Sequence, residues 1–91
     1  DNQIINENSF EADNNIIIYP NPSSGIFTIK TIREDLQSIE ILNQYGEKIM
    51  SYNKDEFNSL INLERYANGT YFYIAIFENG NISKGKLMKS N

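Results

Sequence analysis

Few side chains in this chain of 91 residues have the chemistry of a catalytic or metal-binding group. The sequence contains no His and no Cys, which removes the commonest general base, the thiolate nucleophile and the usual zinc ligands. Two pairs of neighbouring carboxylates remain, Glu34 with Asp35 and Asp55 with Glu56. Adjacent strand residues point to opposite faces and loop residues point anywhere, so neither pair indicates a catalytic dyad. The sequence predicts a protein that is not an enzyme and has no cofactor and no metal site.

The charge of the chain argues against further classes of partner. Its formal net charge is −4 and its isoelectric point is about 4.6, whereas nucleic-acid binders carry clustered Lys and Arg. The longest apolar runs, such as residues 16–19 and 71–77, fall short of the roughly 18 residues that a membrane helix needs. We therefore expect no nucleic-acid partner and no membrane span.

Basic side chains are concentrated near the C-terminus, at Lys84, Lys86 and Lys89. Neither alternating set of residues 82–89 is cleanly apolar, which predicts an edge strand with a bulge at Gly85 and with exposed lysines. Lysines on an edge strand prevent pairing with other chains. Composition alone favours this protective role, and recognition by a partner is the alternative.

The elements that would position these side chains are short strands. Seven runs rich in β-branched and aromatic residues recur every 8–12 residues or so, separated by turn residues, as in a β-sandwich. The runs cover residues 16–19, 25–32, 38–42, 48–52, 59–63, 69–77 and 82–89. Residues 1–15 are rich in Asn, Asp and Glu and lack a period, which predicts a flexible linker. The sequence thus predicts an all-β, antiparallel sandwich of about seven strands.

Turn chemistry and strand periodicity refine this prediction. Residues 20–25, with two Pro and a Gly, must change the chain direction, and residues 44–47 and 78–81 predict hairpin turns. Gly69 enters a strand where we expect a positive φ. That strand, residues 69–77, is apolar on both faces. This favours a central strand covered on both sides, and the alternative is a strand that shows one face to a partner.

Three stretches in this order carry a resemblance to a known family. They are residues 19–25, 68–71 and 85–89, and the residues that match are Pro20, Asn21, Pro22, Gly25, Gly69, Tyr71, Gly85, Lys86, Leu87, Met88 and Lys89. The chain resembles the C-terminal sorting domains, type A, of cargo proteins exported by the type IX (Por) secretion system of Bacteroidetes-type bacteria. The resemblance covers residues 16–91.

The resemblance implies a fold and a function. It implies an immunoglobulin-like β-sandwich over residues 16–91, joined by residues 1–15 to an upstream cargo domain, and the chain is expected to be part of a longer protein. The implied partners are outer-membrane type IX secretion components and a surface sortase. The cargo would pass through the periplasm to the cell surface or the medium. Residues 85–89 would take part in recognition, and the other matching residues would be structural.

An alternative function is a carbohydrate-binding or adhesive module of a surface protein. Exposed aromatic side chains could form a stacking platform for sugar rings, and the candidates are Tyr45, Tyr52, Phe57, Tyr66 and Tyr73. The chain has no Trp, which weakens this alternative.

Overall fold

The structure is a computed structural model, and it describes residues 16–55 and 58–91. The predicted linker of residues 1–15 lies outside the described residues. Seven strands are present in the described ranges: β1 (Ile16–Tyr19), β2 (Ile26–Thr31), β3 (Leu36–Leu42), β4 (Lys48–Asn53), β5 (Leu60–Asn62), β6 (Gly69–Phe77) and β7 (Ile82–Lys89). The predicted strands are confirmed, with bounds that differ by two residues at most.

The strands form two antiparallel sheets that pack as a sandwich. The three-stranded sheet has the order β1-β2-β5, and the four-stranded sheet has the order β4-β3-β6-β7. The chain passes from one sheet to the other after β2, β4 and β5, so that β6 pairs with β3 and β5 with β2. Such crossings between sheets are those of an immunoglobulin-like sandwich. The predicted all-β sandwich is confirmed.

The core lies between the inner faces of the two sheets. Side chains alternate between inward and outward along the strands, so the inward residues supply the buried side chains, and β4 supplies only half-buried ones. The fully buried large side chains are Phe27, Ile29, Ile39, Ile41, Ile61, Leu63, Phe77 and Leu87. Burial of each such side chain contributes about 1.5–3 kcal/mol relative to exposure. The chain has no disulfide, so this apolar core is the main source of stability.

The two faces of β6 have different surroundings. Tyr71, Ala75 and Phe77 point into the core. Phe72 is 38% exposed on the opposite face, and Ile74 is half-buried there. The prediction that β6 is covered on both sides is therefore wrong, because a two-layer sandwich buries only the inner face of each sheet. β6 is central, as predicted. The alternative, a strand that shows one face to a partner, agrees with the outward apolar face, and the partner itself stays a prediction.

The hairpins and the register follow the turn chemistry. The predicted hairpins join β3 to β4 and β6 to β7, and Gly46 and Gly80 have φ values of 83° and 90°. β7 is an edge strand, as predicted. Its register with β6 is continuous from Ile82 to Lys89, so the predicted bulge at Gly85 is wrong. The register shifts lie instead in the pairings of β3 with β4 and of β3 with β6.

Gly25 and Gly69 form a matched pair for testing the tight approach of the turn before β2 to the chain after β5. Gly69 has the predicted positive φ, 150°, and a Cβ added there would meet open space. Gly25 has a φ of 154°, but a Cβ added there would lie 2.7 Å from Glu64 Cγ and 3.1 Å from Glu64 Cα. We expect Gly69→Ala to lower the free energy of unfolding by about 1–3 kcal/mol through backbone strain alone. Gly25→Ala should add about 1–3 kcal/mol of crowding. Denaturant unfolding measures both, and equal losses would contradict the close contact with Glu64.

Candidate functional site

The three matching stretches, distant in the sequence, meet around the C-terminal half of β7. Lys89 is paired with Gly69 in the β6–β7 ladder. Ser23 forms a parallel bridge with Lys89 on the other side of β7. The structure therefore brings residues 20–23, the start of β6 and the end of β7 into one region.

Asn21 binds the free edge of β7 through its side chain. Its Nδ2 donates to the carbonyl of Lys86 at 2.8 Å, and its Oδ1 accepts from the amide of Met88 at 2.9 Å. A carboxamide has the same donor and acceptor as a peptide group. The Asn21 side chain thus takes the place of one peptide unit of a neighbouring strand. The peptide bonds before Pro20 and Pro22 are both cis.

Ser23 continues this pairing with its main chain. Its amide donates to Met88 O at 3.0 Å, and its carbonyl accepts from Ser90 N at 2.9 Å. The Ser23 side chain is buried, donates to Ile26 O at 2.6 Å and accepts from Gly25 N at 3.1 Å. Ser23 was not among the predicted functional residues. The sequence feature that could have pointed to Ser23 is its position directly after Pro22 in the turn.

Tyr71 anchors the chain that leads into β6. Its ring is buried in the core, and its hydroxyl donates to Ala67 O at 2.5 Å. This geometry, a Tyr near the start of a strand bound to the backbone a few residues upstream, is the tyrosine corner of immunoglobulin-like domains. The Tyr66 ring lies edge-on to Tyr71, with centroids 6.5 Å apart. The Gly69 and Tyr71 motif therefore fixes the corner between β5 and β6.

Lys89 is buried, and the prediction that it is an exposed charge is wrong. It is 8% exposed, and its Nζ lies 2.7 Å from Tyr66 O and 3.4 Å from Glu64 O. Lys89 falls on the inner side of β7, so its long apolar stem packs inward while the ammonium donates to these carbonyls. Its direct role is to bind the corner between β5 and β6.

Two other residues predicted for recognition also lie on the inner side of β7. Leu87 is fully buried in the core. Gly85 lies beneath the ring of Tyr73, and a Cβ at this position would come within 3.0 Å of three ring and hydroxyl atoms. Of the predicted recognition residues, Lys86 and Met88 are the ones whose side chains are exposed.

The outer face of β7 continues into an apolar surface on the four-stranded sheet. Lys86 is paired with Phe72, which is paired in turn with Leu42, and Lys84 is paired with Ile74. These five residues border a shallow groove of about 370 Å³, which we call the outer groove. Lys84 was considered for recognition together with Lys86 and Lys89. Leu42, Phe72 and Ile74 were not predicted as site residues, because the order of the strands decides which residues become their neighbours.

Of the two acidic pairs, Glu34 with Asp35 lies within the described residues, whereas Glu56 of the second pair lies outside them. Asp35 accepts hydrogen bonds from the Arg33 guanidinium at 2.8 and 2.5 Å, and these bonds lower the pKa of the Asp35 carboxyl. Arg33 also lies over the Phe77 ring, 4.1 Å from its centroid. Within residues 16–55 and 58–91, no three His, Cys, Asp or Glu side chains are grouped as metal ligands.

The aromatic side chains proposed for sugar binding come together only in part within the described residues. Tyr45 is exposed at the tip of the β3–β4 hairpin. Tyr66 packs against Tyr71, and Tyr73 covers Gly85. Tyr52 donates its hydroxyl to Met50, and Phe57 lies outside the described residues. Tyr45 and Tyr66 line one pocket of about 340 Å³, whereas the other described candidates, Tyr52 and Tyr73, do not line it.

Most of the chain matches a known protein family. A family model described as "Secretion system C-terminal sorting domain" matches residues 17–90, a span that includes all three matching stretches. No curated protein matches the chain. In the part of the chain that the structure describes, no helix is long and apolar enough to cross a membrane.

Asn21→Asp should weaken the attachment of residues 20–23 to β7. The carboxylate can still accept from Met88 N, but it cannot donate to Lys86 O, so two oxygens face each other. We expect a loss of about 1–3 kcal/mol in the free energy of unfolding and faster hydrogen exchange at the Met88 amide. Asn79→Asp is a matched control, because the Asn79 side chain accepts from Asn81 N and a carboxylate keeps that bond. Equal effects of the two substitutions would contradict the donor role of Asn21.

Lys89→Met should destabilise the domain while keeping a long apolar stem. The carbonyls of Glu64 and Tyr66 lose their charged donor, which should cost about 1–3 kcal/mol. Lys86→Met is the control, because an exposed substitution on the same strand should change stability by about 0.5 kcal/mol at most. Thermal melting distinguishes the two, and a Lys89→Met variant that melts like Lys86→Met would show that the buried ammonium is dispensable.

Proposed function

This chain belongs to the family of secretion system C-terminal sorting domains, and on that premise we propose that it is a type A signal for the type IX secretion system. The family is a non-catalytic sorting-signal family, which implies a cargo and a secretion machinery as partners. The cargo of such a domain is a secreted or surface protein. The domain would carry its cargo through the periplasm and across the outer membrane.

The observation that carries the proposal is the convergence of the three family stretches on β7. Residues 20–23 bind one side of this strand, and Gly69 is paired with Lys89 on the other. The surrounding residues hold the C-terminal strand in a fixed position on the sandwich. A receptor that reads this strand would therefore meet a rigid surface.

Recognition would use the residues of β7 in two ways. Lys86 and Met88 offer exposed side chains to a receptor. The inward residues of β7 would act indirectly, by setting the position of the strand. Gly85 packs against Tyr73, Leu87 lies in the core, and Lys89 binds the β5–β6 corner. The five residues of the terminal motif thus divide into two that can be contacted and three that position them.

Export of the cargo would be followed by removal of the sorting domain. Residues 16–91 form the sorting domain, and residues 1–15 are a linker to an upstream cargo domain. A surface sortase removes the domain after export and, in one variant of the process, joins the cargo to lipopolysaccharide. The acidic, Asn-rich composition of residues 1–15 supports the linker, because such a segment cannot bury enough apolar surface to fold alone.

A secretion assay tests this function. Residues 1–91 are fused behind a fluorescent protein and a signal peptide in a type IX-competent bacterium, and in the same strain with the type IX outer-membrane pore removed. We expect the reporter at the cell surface or in the medium of the competent strain and in the periplasm of the mutant. A reporter that lacks the domain should remain periplasmic in both. Equal retention of the fusion in both strains would contradict the proposal.

A further inference from the structure

The outer groove is an apolar depression on a face that a small sandwich normally covers with polar residues. Its floor is formed by Phe72 and Ile74 on β6, with Leu42 of β3 at one side. Within residues 16–55 and 58–91, no strand packs over this face, because the two sheets contact each other through their inner faces. Phe72 is exposed, and Leu42 and Ile74 are half-buried. Apolar residues that cluster at a surface in this way mark an interaction surface.

The opposite side of the outer groove is positively charged. Lys84 and Lys86 stand two residues apart on the outward side of β7, and their cross-strand neighbours are the apolar Ile74 and Phe72. The ion pairs found in the described ranges are Arg33 with Asp35, Lys48 with Glu40 and Lys54 with Glu78, so none of them involves these two lysines. This local positive charge occurs on a chain whose net charge is −4.

Edge protection alone does not explain this arrangement. Lysines on an edge strand deter pairing along that edge, and this accounts for charged residues on β7. It does not account for an apolar groove that continues across β6 to Leu42 on β3. A groove with one positively charged side and one apolar side would best fit a partner that has both acidic and apolar groups.

We propose that the outer groove binds an extended, acidic and apolar peptide segment of the secretion machinery. This inference rests on the proposed function and names the partner chemistry of the same surface. Lys84 and Lys86 are two strand residues apart, which corresponds to about 7 Å. An extended peptide repeats its side chains at this same spacing on each side. Acidic side chains at alternate positions therefore meet the two lysines, and the apolar side chains between them face Leu42.

Charge favours a peptide over an anionic lipid surface as the occupant. Recognition of anionic membranes uses clusters of about 4–8 Lys or Arg. The outer groove offers two such residues, Lys84 and Lys86, while Lys48 on the same face is paired with Glu40 at 3.5 Å. Two lysine side chains at a fixed spacing can pair with two carboxylates on one extended peptide.

The decisive experiment adds charge and polarity variants to the secretion assay. Lys84→Glu with Lys86→Glu places like charges against an acidic partner, and secretion should fall by about tenfold or more. The matched control is Lys30→Glu, an exposed strand lysine of the other sheet that lies opposite Ile17. Leu42→Gln should also reduce secretion, whereas Ile17→Gln, at an exposed apolar position of the other sheet, should not. Melting of each purified domain is measured in parallel, and Lys84→Gln with Lys86→Gln replaces the reversal if its melting midpoint falls.

The outcomes separate this inference from the function on which it rests. A wild-type domain that is not secreted contradicts the proposed function itself. The acidic partner is overturned if the variant with Lys84→Glu and Lys86→Glu is secreted normally. It is also overturned if Lys30→Glu reduces secretion by the same factor. In both cases the sorting function stands. Normal secretion of Leu42→Gln overturns the apolar part of the match. Binding of the wild-type domain to phosphatidylglycerol vesicles that the reversal abolishes would identify a lipid surface and would also overturn the peptide.

Discussion

The attachment of residues 20–23 to β7 is the contact on which the structure of the candidate site depends. β7 is an edge strand with one ladder neighbour, and its C-terminal half would otherwise be free to fray. The Asn21 carboxamide and the Ser23 main chain satisfy the outward-facing groups of Lys86, Met88 and Ser90. Because these groups are donors and acceptors that a strand edge leaves unpaired, their pairing fixes the end of β7 and removes half of the edge from contact with other chains.

A second set of contacts fixes β7 from the inside. Lys89 donates to the corner between β5 and β6, and Tyr71 ties the same corner to the start of β6. Leu87 anchors the middle of the strand in the core. The end of the chain is thus held by side-chain hydrogen bonds, main-chain pairing and apolar burial together. For a domain without a disulfide, this is a direct way to keep a terminal strand rigid enough to be recognised.

The alternation of side chains along β7 divides the terminal motif into an inward and an outward set of side chains. Successive residues of a strand point to opposite faces, so Lys86 and Met88 face outward while Gly85, Leu87 and Lys89 face inward. The inward residues touch the core and the outward residues lie beside the apolar face of β6. The outward residues of β7 therefore share one surface with outward residues of β6 and β3. The outer groove contains Leu42 and Ile74 for this reason, although neither lies in a terminal motif.

The sequence by itself determined the number of strands, their bounds to within two residues, the hairpin turns and the absence of His and Cys chemistry. These features are local, since a period of two and the residues of a turn act over a few positions. The tertiary structure decided which face of β6 is covered, that β7 runs past Gly85 without a bulge, and that Lys89 is buried. It also joined Asn21 to Met88, which are 67 positions apart. These outcomes depend on the order of the strands and the packing of the two sheets, and long-range burial and hydrogen bonding select that order without leaving a pattern in any single stretch of sequence.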